Sequence, residues 1–225
     1  MRLEKYFDHT NLKPEAKEVD IDQLCAEAKK YEFASVCVNP SYVKYARKQL
    51  QDSNVKVCTV IGFPLGANTT EIKVDEAKRA IKDEADEVDM VINVGKLKDK
   101  QYNYIKEEIN EIKQEIKKHV LKVIVETCLL DEDEKRKICE IILETKADFI
   151  KTSTGFGKPK DERTRVGADL KDIKLFKNII GNRRLQIKAS GGIGKLSEAE
   201  KMIKAGATRI GASKSVSIME EFLSK

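Results

Sequence analysis

Short apolar runs alternate with longer charged segments along this chain, and in those segments the apolar residues recur at helical spacing. The runs are ASVCVN (34–39), KVCTVIGF (56–63), EVDMVINVG (87–95), LKVIVETCL (121–129), DFIKTST (148–154), LQIKAS (185–190) and TRIGAS (208–213). A weaker run, YFDHT (6–10), opens the series. They are rich in Val and Ile, and several read as buried on both faces, as parallel strands do.

The segments between them predict helices. Residues 69–84 carry Ile72, Ala77, Ala80 and Ile81 as an apolar stripe, with Thr69 or Thr70 as the cap. Residues 101–118 carry a cleaner stripe of Ile105, Ile109, Ile112 and Ile116. Residues 197–205 open on Ser197 with Glu200 three places on, a capping-box spacing, and stop at Gly206. About eight β units alternate with helices over residues 1–225, without a break in composition. That pattern predicts an α/β fold, a single-domain (β/α)8 TIM barrel. An open doubly wound sheet is the rival. It is disfavoured because no GxGxxG follows the first strand and the glycine-rich turns come after the last two.

Composition narrows the function. The 225 residues are 40% hydrophobic and 36% charged, with a formal net charge of +5 spread in mixed runs such as EEINEIKQEIKK. Such runs are solvated helix faces and argue against a nucleic-acid partner. No apolar stretch approaches the length of a membrane span, and MRLEKYFDHT lacks the apolar core of a signal peptide. The five cysteines are odd in number and show no CxxC spacing, which predicts reduced thiols and a cytoplasmic protein.

Charges inside apolar strands are expensive unless paired. Those singled out are Asp89, Lys151 and Lys188, with Asp8 in the opening run. A structural ion pair of Asp89 with one lysine is the plain reading, but it leaves the second lysine to Asp8. The functional reading uses all four. Two desolvated lysines near each other disfavour each other's charged form, so one can be the neutral amine that attacks a carbonyl and forms a Schiff base. A nearby carboxylate can then pass protons. That constellation predicts a metal-independent, cofactor-free aldolase. With only two histidines, His9 and His119, the chain offers no histidine-rich zinc site. His9 reads as a local hydrogen-bonding residue and His119 as a helix-end residue. SGGIGK (190–195) and GASKS (211–215) follow the seventh and eighth strands. Their glycine N–H groups, a helix beginning near Ser213, and Lys195 or Lys214 would hold a phosphate.

The blocks DHTNLKP, VCVNP, TVIGFPLGANTTEIK, EVDMVINVG, KVIVETCLL, FIKTSTGFG, KASGGI and RIGAS, in that order across residues 8–213, resemble the deoxyribose-phosphate aldolase family. The resemblance implies a class I aldolase on a (β/α)8 barrel. Such an enzyme reversibly cleaves 2-deoxy-D-ribose 5-phosphate to D-glyceraldehyde 3-phosphate and acetaldehyde, in deoxyribose phosphate catabolism. It implies Lys151 as the Schiff-base lysine and Lys188 as the lysine that tunes it. Asp89 would work with Lys188 in proton transfer, Asp8 would be a further acid, and Cys37 a residue near the pocket. Thr152, Gly155, Gly191, Gly192, Gly211, Ser213, Lys195 and Lys214 would bind substrate and phosphate. A homo-oligomer, dimer or tetramer, is compatible with it.

Several positions depart from the family pattern. Gly194 stands where relatives commonly have Arg, and Lys214 where a second serine is common. GKPKDERTRVGAD replaces a shorter block, and the chain ends EEFLSK without a terminal Tyr. Two other function classes are weighed. One is an isomerase or other lyase in which the lysine is only electrostatic, separable by Schiff-base trapping. The other is a basic binding module, whose affinity for polyanions would survive loss of Lys151.

Overall fold

The structure, a computed structural model, describes residues 2–159, 161 and 164–225. Lys160, Glu162 and Arg163 of the long segment after the Lys151 strand lie outside the described residues, as does Met1. Each apolar run forms one strand: β1 (Phe7–Asn11), β2 (Ser35–Val38), β3 (Lys56–Ile61), β4 (Glu87–Val91), β5 (Val120–Ile124), β6 (Phe149–Lys151), β7 (Gln186–Ser190) and β8 (Arg209–Ala212). All neighbours are parallel, and β8 returns to β1 with Phe7 opposite Ile210, closing the barrel in sequence order. The expected (β/α)8 barrel is therefore the fold.

The helices are α1 (Glu18–Tyr31), α2 (Val43–Gln49), α3 (Thr70–Lys82), α4 (Val94–Lys98), α5 (Tyr102–Ile116), α6 (Glu132–Leu143), α7 (Leu170–Ile180), α8 (Leu196–Ala205) and α9 (Ser215–Leu223). The hydrophobic core lies between strands and helices. There Val36, Val57, Val88, Met90, Leu121, Val123, Ile150, Ile187 and Ile210 meet the helix stripes. The four isoleucines expected on α5 are all fully buried. At about 2 kcal/mol for each buried side chain, that stripe suffices to seat the helix.

Two helix readings need correction. In α3 the inward face is Lys73, Ala77 and Ala80, while Ile72 is 50% exposed. Small alanines let α3 lie close to α5. Lys73 can be buried there because its Nζ meets Glu108 at 2.8 Å and the Val91 carbonyl at 3.0 Å. In α8 the cap is not Ser197. Lys195 is the N-cap, and Glu198 reaches back to accept from the Gly194 and Lys195 N–H groups. Gly206 ends that helix as expected, at φ 118°.

Successive side chains on a strand point to opposite faces. The residues that alternate with the apolar set therefore turn into the barrel, and they are unusually ionic: Asp8, Glu87, Asp89, Lys122, Lys151, Lys188 and Arg209. Parallel register places Lys151 beside Lys188 and Asp89 beside Lys122. A small apolar cluster of Leu12, Cys37, Cys58 and Val60, with Phe63 against it, fills one side.

Candidate active site

Asp89 is the hub of the barrel interior. Its Oδ2 accepts from Lys151 Nζ at 2.8 Å and from Lys188 Nζ at 2.7 Å, while its Oδ1 accepts from Lys122 Nζ at 2.8 Å. Below it, Lys122 meets Glu87 at 2.5 Å, and Lys188 meets Asp8 at 2.5 Å. Arg209 closes the network from underneath, 2.6 Å from Asp8 and 3.1 Å from Glu87. Ser35 donates to the same Asp8 oxygen at 2.7 Å.

The four residues expected from the sequence are thus brought together. Lys122, Glu87 and Arg209 complete the set and were missed. Lys122 does interrupt the LKVIVETCL run, the same signal that marked Lys151 and Lys188. Glu87 and Arg209 sit at strand starts, where a charge reads as a solvent-facing strand end. The plain picture of one aspartate pairing with one lysine is replaced by a continuous network.

Electrostatics follow from this packing. Burial by itself would raise the Asp89 carboxyl, but Lys122, Lys151 and Lys188 outweigh it and hold the group well below the ordinary carboxylate range. Asp8 is likewise lowered, against burial, by Arg209, Lys188 and Lys122. Lys188 goes the other way from a desolvated lysine. Burial would lower it, yet Asp8 and Asp89 raise it above its ordinary value, so it is a fixed ammonium. The network holds four cations (Lys122, Lys151, Lys188, Arg209) against three carboxylates (Asp8, Glu87, Asp89). Among the described residues Lys122 reaches three carboxylates, Lys188 two and Arg209 two, while Lys151 reaches only Asp89.

A cavity of about 440 Å³ opens above this network at the C-terminal ends of the strands. Lys151 is the member of the network that lines it. Around it stand Thr154, Gly155, Ser190, Gly191, Gly192, Gly211 and Ser213, so most of the glycine-loop residues expected around a phosphate do converge. Gly191 and Gly167 are forced together by the loops that carry them. A Cβ on Gly167 would stand 2.4 Å from the Gly191 carbonyl oxygen, and that carbonyl accepts from Ala168 N–H at 3.0 Å.

Other expected residues fall elsewhere. Thr152 is fully buried and ties β6 to β7, donating to the Ser190 carbonyl at 3.2 Å and accepting from Ser190 N–H at 3.1 Å. Lys195 caps α8 and is exposed. Lys214 is exposed and caps α9, which begins at Ser215 and not at Ser213; its side chain runs over Gly194, 3.1 Å from where a Cβ would be. Cys37 is fully buried in the small apolar cluster beside Cys58. His9 lines the cavity edge on the α1 side and meets Glu27 at 2.7 Å, while His119 sits in the turn between α5 and β5.

Two trios, Cys37–Cys58–Asp89 and Asp8–Cys58–Glu87, place ligand atoms within 4.8 Å of one another. Their carboxylates already hold lysine and arginine cations, whose charge opposes a metal ion. The donor set fits an ammonium better than a metal.

Fold and site define a parallel (β/α)8 barrel with a lysine–carboxylate centre in its interior, beneath a cavity at the C-terminal ends of the strands. Comparison with known proteins narrows this. Residues 3–218 match the profile of the DeoC/LacD family aldolases, and the chain belongs to that family. It is 52% identical to the deoxyribose-phosphate aldolase of Clostridium tetani over 222 residues, covering 98% of this chain and 99% of that protein. It is 54% identical to the one from Clostridium botulinum over 220 residues, covering 98% and 100%. Among solved structures, an aldolase designated QR15 superposes with a TM-score of 0.91 at 44% identity, covering 99% of this chain and 96% of that one. The tetrameric deoxyribose phosphate aldolase of Aeropyrum pernix superposes at 0.88 with 31% identity, covering 99% and 91%.

Proposed function

We propose that this chain is a deoxyribose-phosphate aldolase of the Schiff-base kind, with Lys151 as the nucleophile. One observation carries the assignment of the lysine. Of the four cations in the network, Lys151 alone lines the cavity, and the network holds one cation more than its carboxylates balance. Loss of one proton brings the network to neutrality, and at Lys151 that loss leaves a free amine facing substrate.

The chemistry then runs as follows. The Lys151 amine adds to C1 of open-chain 2-deoxyribose 5-phosphate, and water leaves to give an iminium. A proton leaves the C3 hydroxyl, the C2–C3 bond breaks, and its electron pair flows into the iminium to give an enamine. Glyceraldehyde 3-phosphate departs. The enamine takes a proton at C2, and water hydrolyses the new iminium, returning the amine and releasing acetaldehyde. Asp89 Oδ2 lies 2.8 Å from Lys151 Nζ, so it can take a proton from that nitrogen and return it. Lys188, fully buried, acts through its charge; Asp8 holds it there. Gly155, Gly191, Gly192, Gly211 and Ser213 offer the phosphate site, with Lys214 alongside. The reaction needs no metal or cofactor. Five buried free thiols support a cytoplasmic setting, and the tetrameric relative supports a homo-oligomer. Among the described residues no helix is long and apolar enough to cross a membrane.

The test is reduction with borohydride in the presence of acetaldehyde and EDTA, followed by peptide mapping. Lys151 gains the ethyl adduct despite the chelator. Scattered modification that omits Lys151, or adduct formation that stops in EDTA, overturns the reading.

A further inference from the structure

Glu126 follows β5 in a left-handed conformation, φ 54° and ψ 66°, uncommon for a residue with a side chain. It is 3% exposed. On either side the β5–β6 ladder continues: Val125 N–H donates to the Lys151 carbonyl at 3.0 Å, and Thr127 N–H to the Thr152 carbonyl at 2.9 Å. Glu126 itself turns out of the ladder and aims its carboxylate at the loop beyond β6. There Oε2 accepts from the Thr154 N–H at 3.2 Å and from the Thr154 hydroxyl in a short contact. Thr154 Oγ1 in turn accepts from Phe156 N–H at 2.9 Å. The loop then folds back over the carboxylate at Gly157, where a Cβ would stand 2.6 Å from Cys128 Sγ and 3.0 Å from Glu126 Oε1.

Among the described residues its partners are an amide, a hydroxyl and a thiol, and a buried carboxylate so held is costly to keep. What it holds is the wall of the cavity. Thr154, Gly155 and Phe156 all line that cavity beside Lys151, whereas Glu126 does not reach it. The Thr154 hydroxyl is spent on Glu126 and its oxygen on Phe156, so this side chain orders the turn and leaves substrate contact to Gly155 and Phe156. Phe156 also crosses the mouth to meet Phe63 edge to face, with centroids 5.5 Å apart, next to the small apolar cluster. Lys151 is held independently, by β6 and by Asp89.

We infer that Glu126 is a positioning residue: through Thr154 it sets the 154–157 turn that forms the substrate wall, without taking part in amine chemistry at Lys151. The inference rests on the aldolase reading above. It separates two readouts that general damage would move together, the KM for the sugar phosphate and acetaldehyde trapping at Lys151.

The experiment compares Glu126→Ala, Glu126→Gln, Thr154→Val and Thr154→Ser in the full chain. Glu126→Ala should raise KM for deoxyribose 5-phosphate about tenfold or more, the effect of losing a charge-assisted contact, while trapping keeps its wild-type rate. Glu126→Gln can present its amide oxygen to both Thr154 donors and should recover the KM. Thr154→Val should repeat the alanine effect and Thr154→Ser should recover it. The Glu126→Ala/Thr154→Val double variant should lose no more than the worse single one, since the two act as one unit. If Glu126→Ala does not fold, Thr154→Val against Thr154→Ser decides. Unchanged KM in both disruptive variants overturns the inference, as does a parallel loss of KM and trapping. A wild-type protein that fails to cleave deoxyribose 5-phosphate overturns the aldolase reading instead, which the trapping experiment detects on its own.

Discussion

Replacing Lys188 by leucine should slow imine formation at neutral pH and move its pH dependence to the alkaline side. Lys151 and Lys188 donate to one oxygen of Asp89, at 2.8 and 2.7 Å. Two nitrogens so placed are roughly 4.5–5 Å apart, and at an effective dielectric of about 20 two unit charges there repel by about 3.5 kcal/mol. Lys188 is a fixed ammonium, raised by Asp8 and Asp89 against its burial, so this repulsion acts on the protonated form of Lys151 and not on the free amine. Without Lys188 the network has three cations for three carboxylates and no longer gains by releasing a proton. At 1.36 kcal/mol for each pH unit, the profile should shift by about two and a half units. The assay is the rate of borohydride-trapped acetaldehyde adduct at Lys151 across pH 6–11 (about one point per half unit suffices for a shift of this size). Circular dichroism should confirm folding, since Asp8 keeps Arg209 and Ser35 as partners. A variant that is slowed equally at every pH would refute the charge argument, because a lost proton carrier has that signature and a lost repulsion does not.

Further outcomes follow from the same geometry. Asp89→Asn should cut turnover by more than it cuts trapping, because it removes the carboxylate bridging the two lysine nitrogens and leaves the nucleophile; equal losses in both rates would contradict its carrier role. Ser213→Asp, at the exposed cavity edge, should raise KM for deoxyribose 5-phosphate about tenfold or more and leave the unphosphorylated sugar nearly unaffected. Lys214→Ala should do the same more mildly, and equal losses on both sugars would place the phosphate elsewhere. Asp8 and Asp89 are lowered in the folded state, so their stabilisation is present above the unfolded carboxylate value of about 4 and is lost as pH falls toward their folded values. The melting temperature should therefore fall steeply below about pH 4, and Asp8→Asn should flatten that fall while lowering the neutral plateau. A melting temperature unchanged down to about pH 2 would contradict this.

The sequence by itself determined the fold and singled out Lys151 and Lys188. Eight Val- and Ile-rich runs spaced by helix-period segments leave little besides a closed parallel barrel, because each run needs cover on its outer face and a partner on both edges. Lys151 and Lys188 were legible because a charge in an apolar strand is costly unless a partner holds it, and one aspartate leaves the second lysine over. The α5 stripe was legible because isoleucine at helical spacing admits one buried face. The failures have physical reasons too. Ile72 was assigned inward on hydrophobicity, but Lys73 takes that position because Glu108, 35 residues on, supplies its partner. Thr152 looked like a substrate residue, yet the strand pairing turns it into a tie between β6 and β7.

Only the tertiary structure decided how the charges share one another. Strand order says which residues are neighbours along the sheet. It does not say that Asp89 on β4 reaches Lys151 on β6 and Lys188 on β7 across the barrel interior, or that Arg209 and Glu87 close the network from below. Nor does it say which cation faces the cavity and which three lie beneath it. Those outcomes depend on barrel closure, since closure brings side chains from non-adjacent strands within hydrogen-bonding distance. The same holds for Glu126: its backbone geometry and its reach to Thr154 exist only once β5 and β6 are paired and the loop beyond them has folded back.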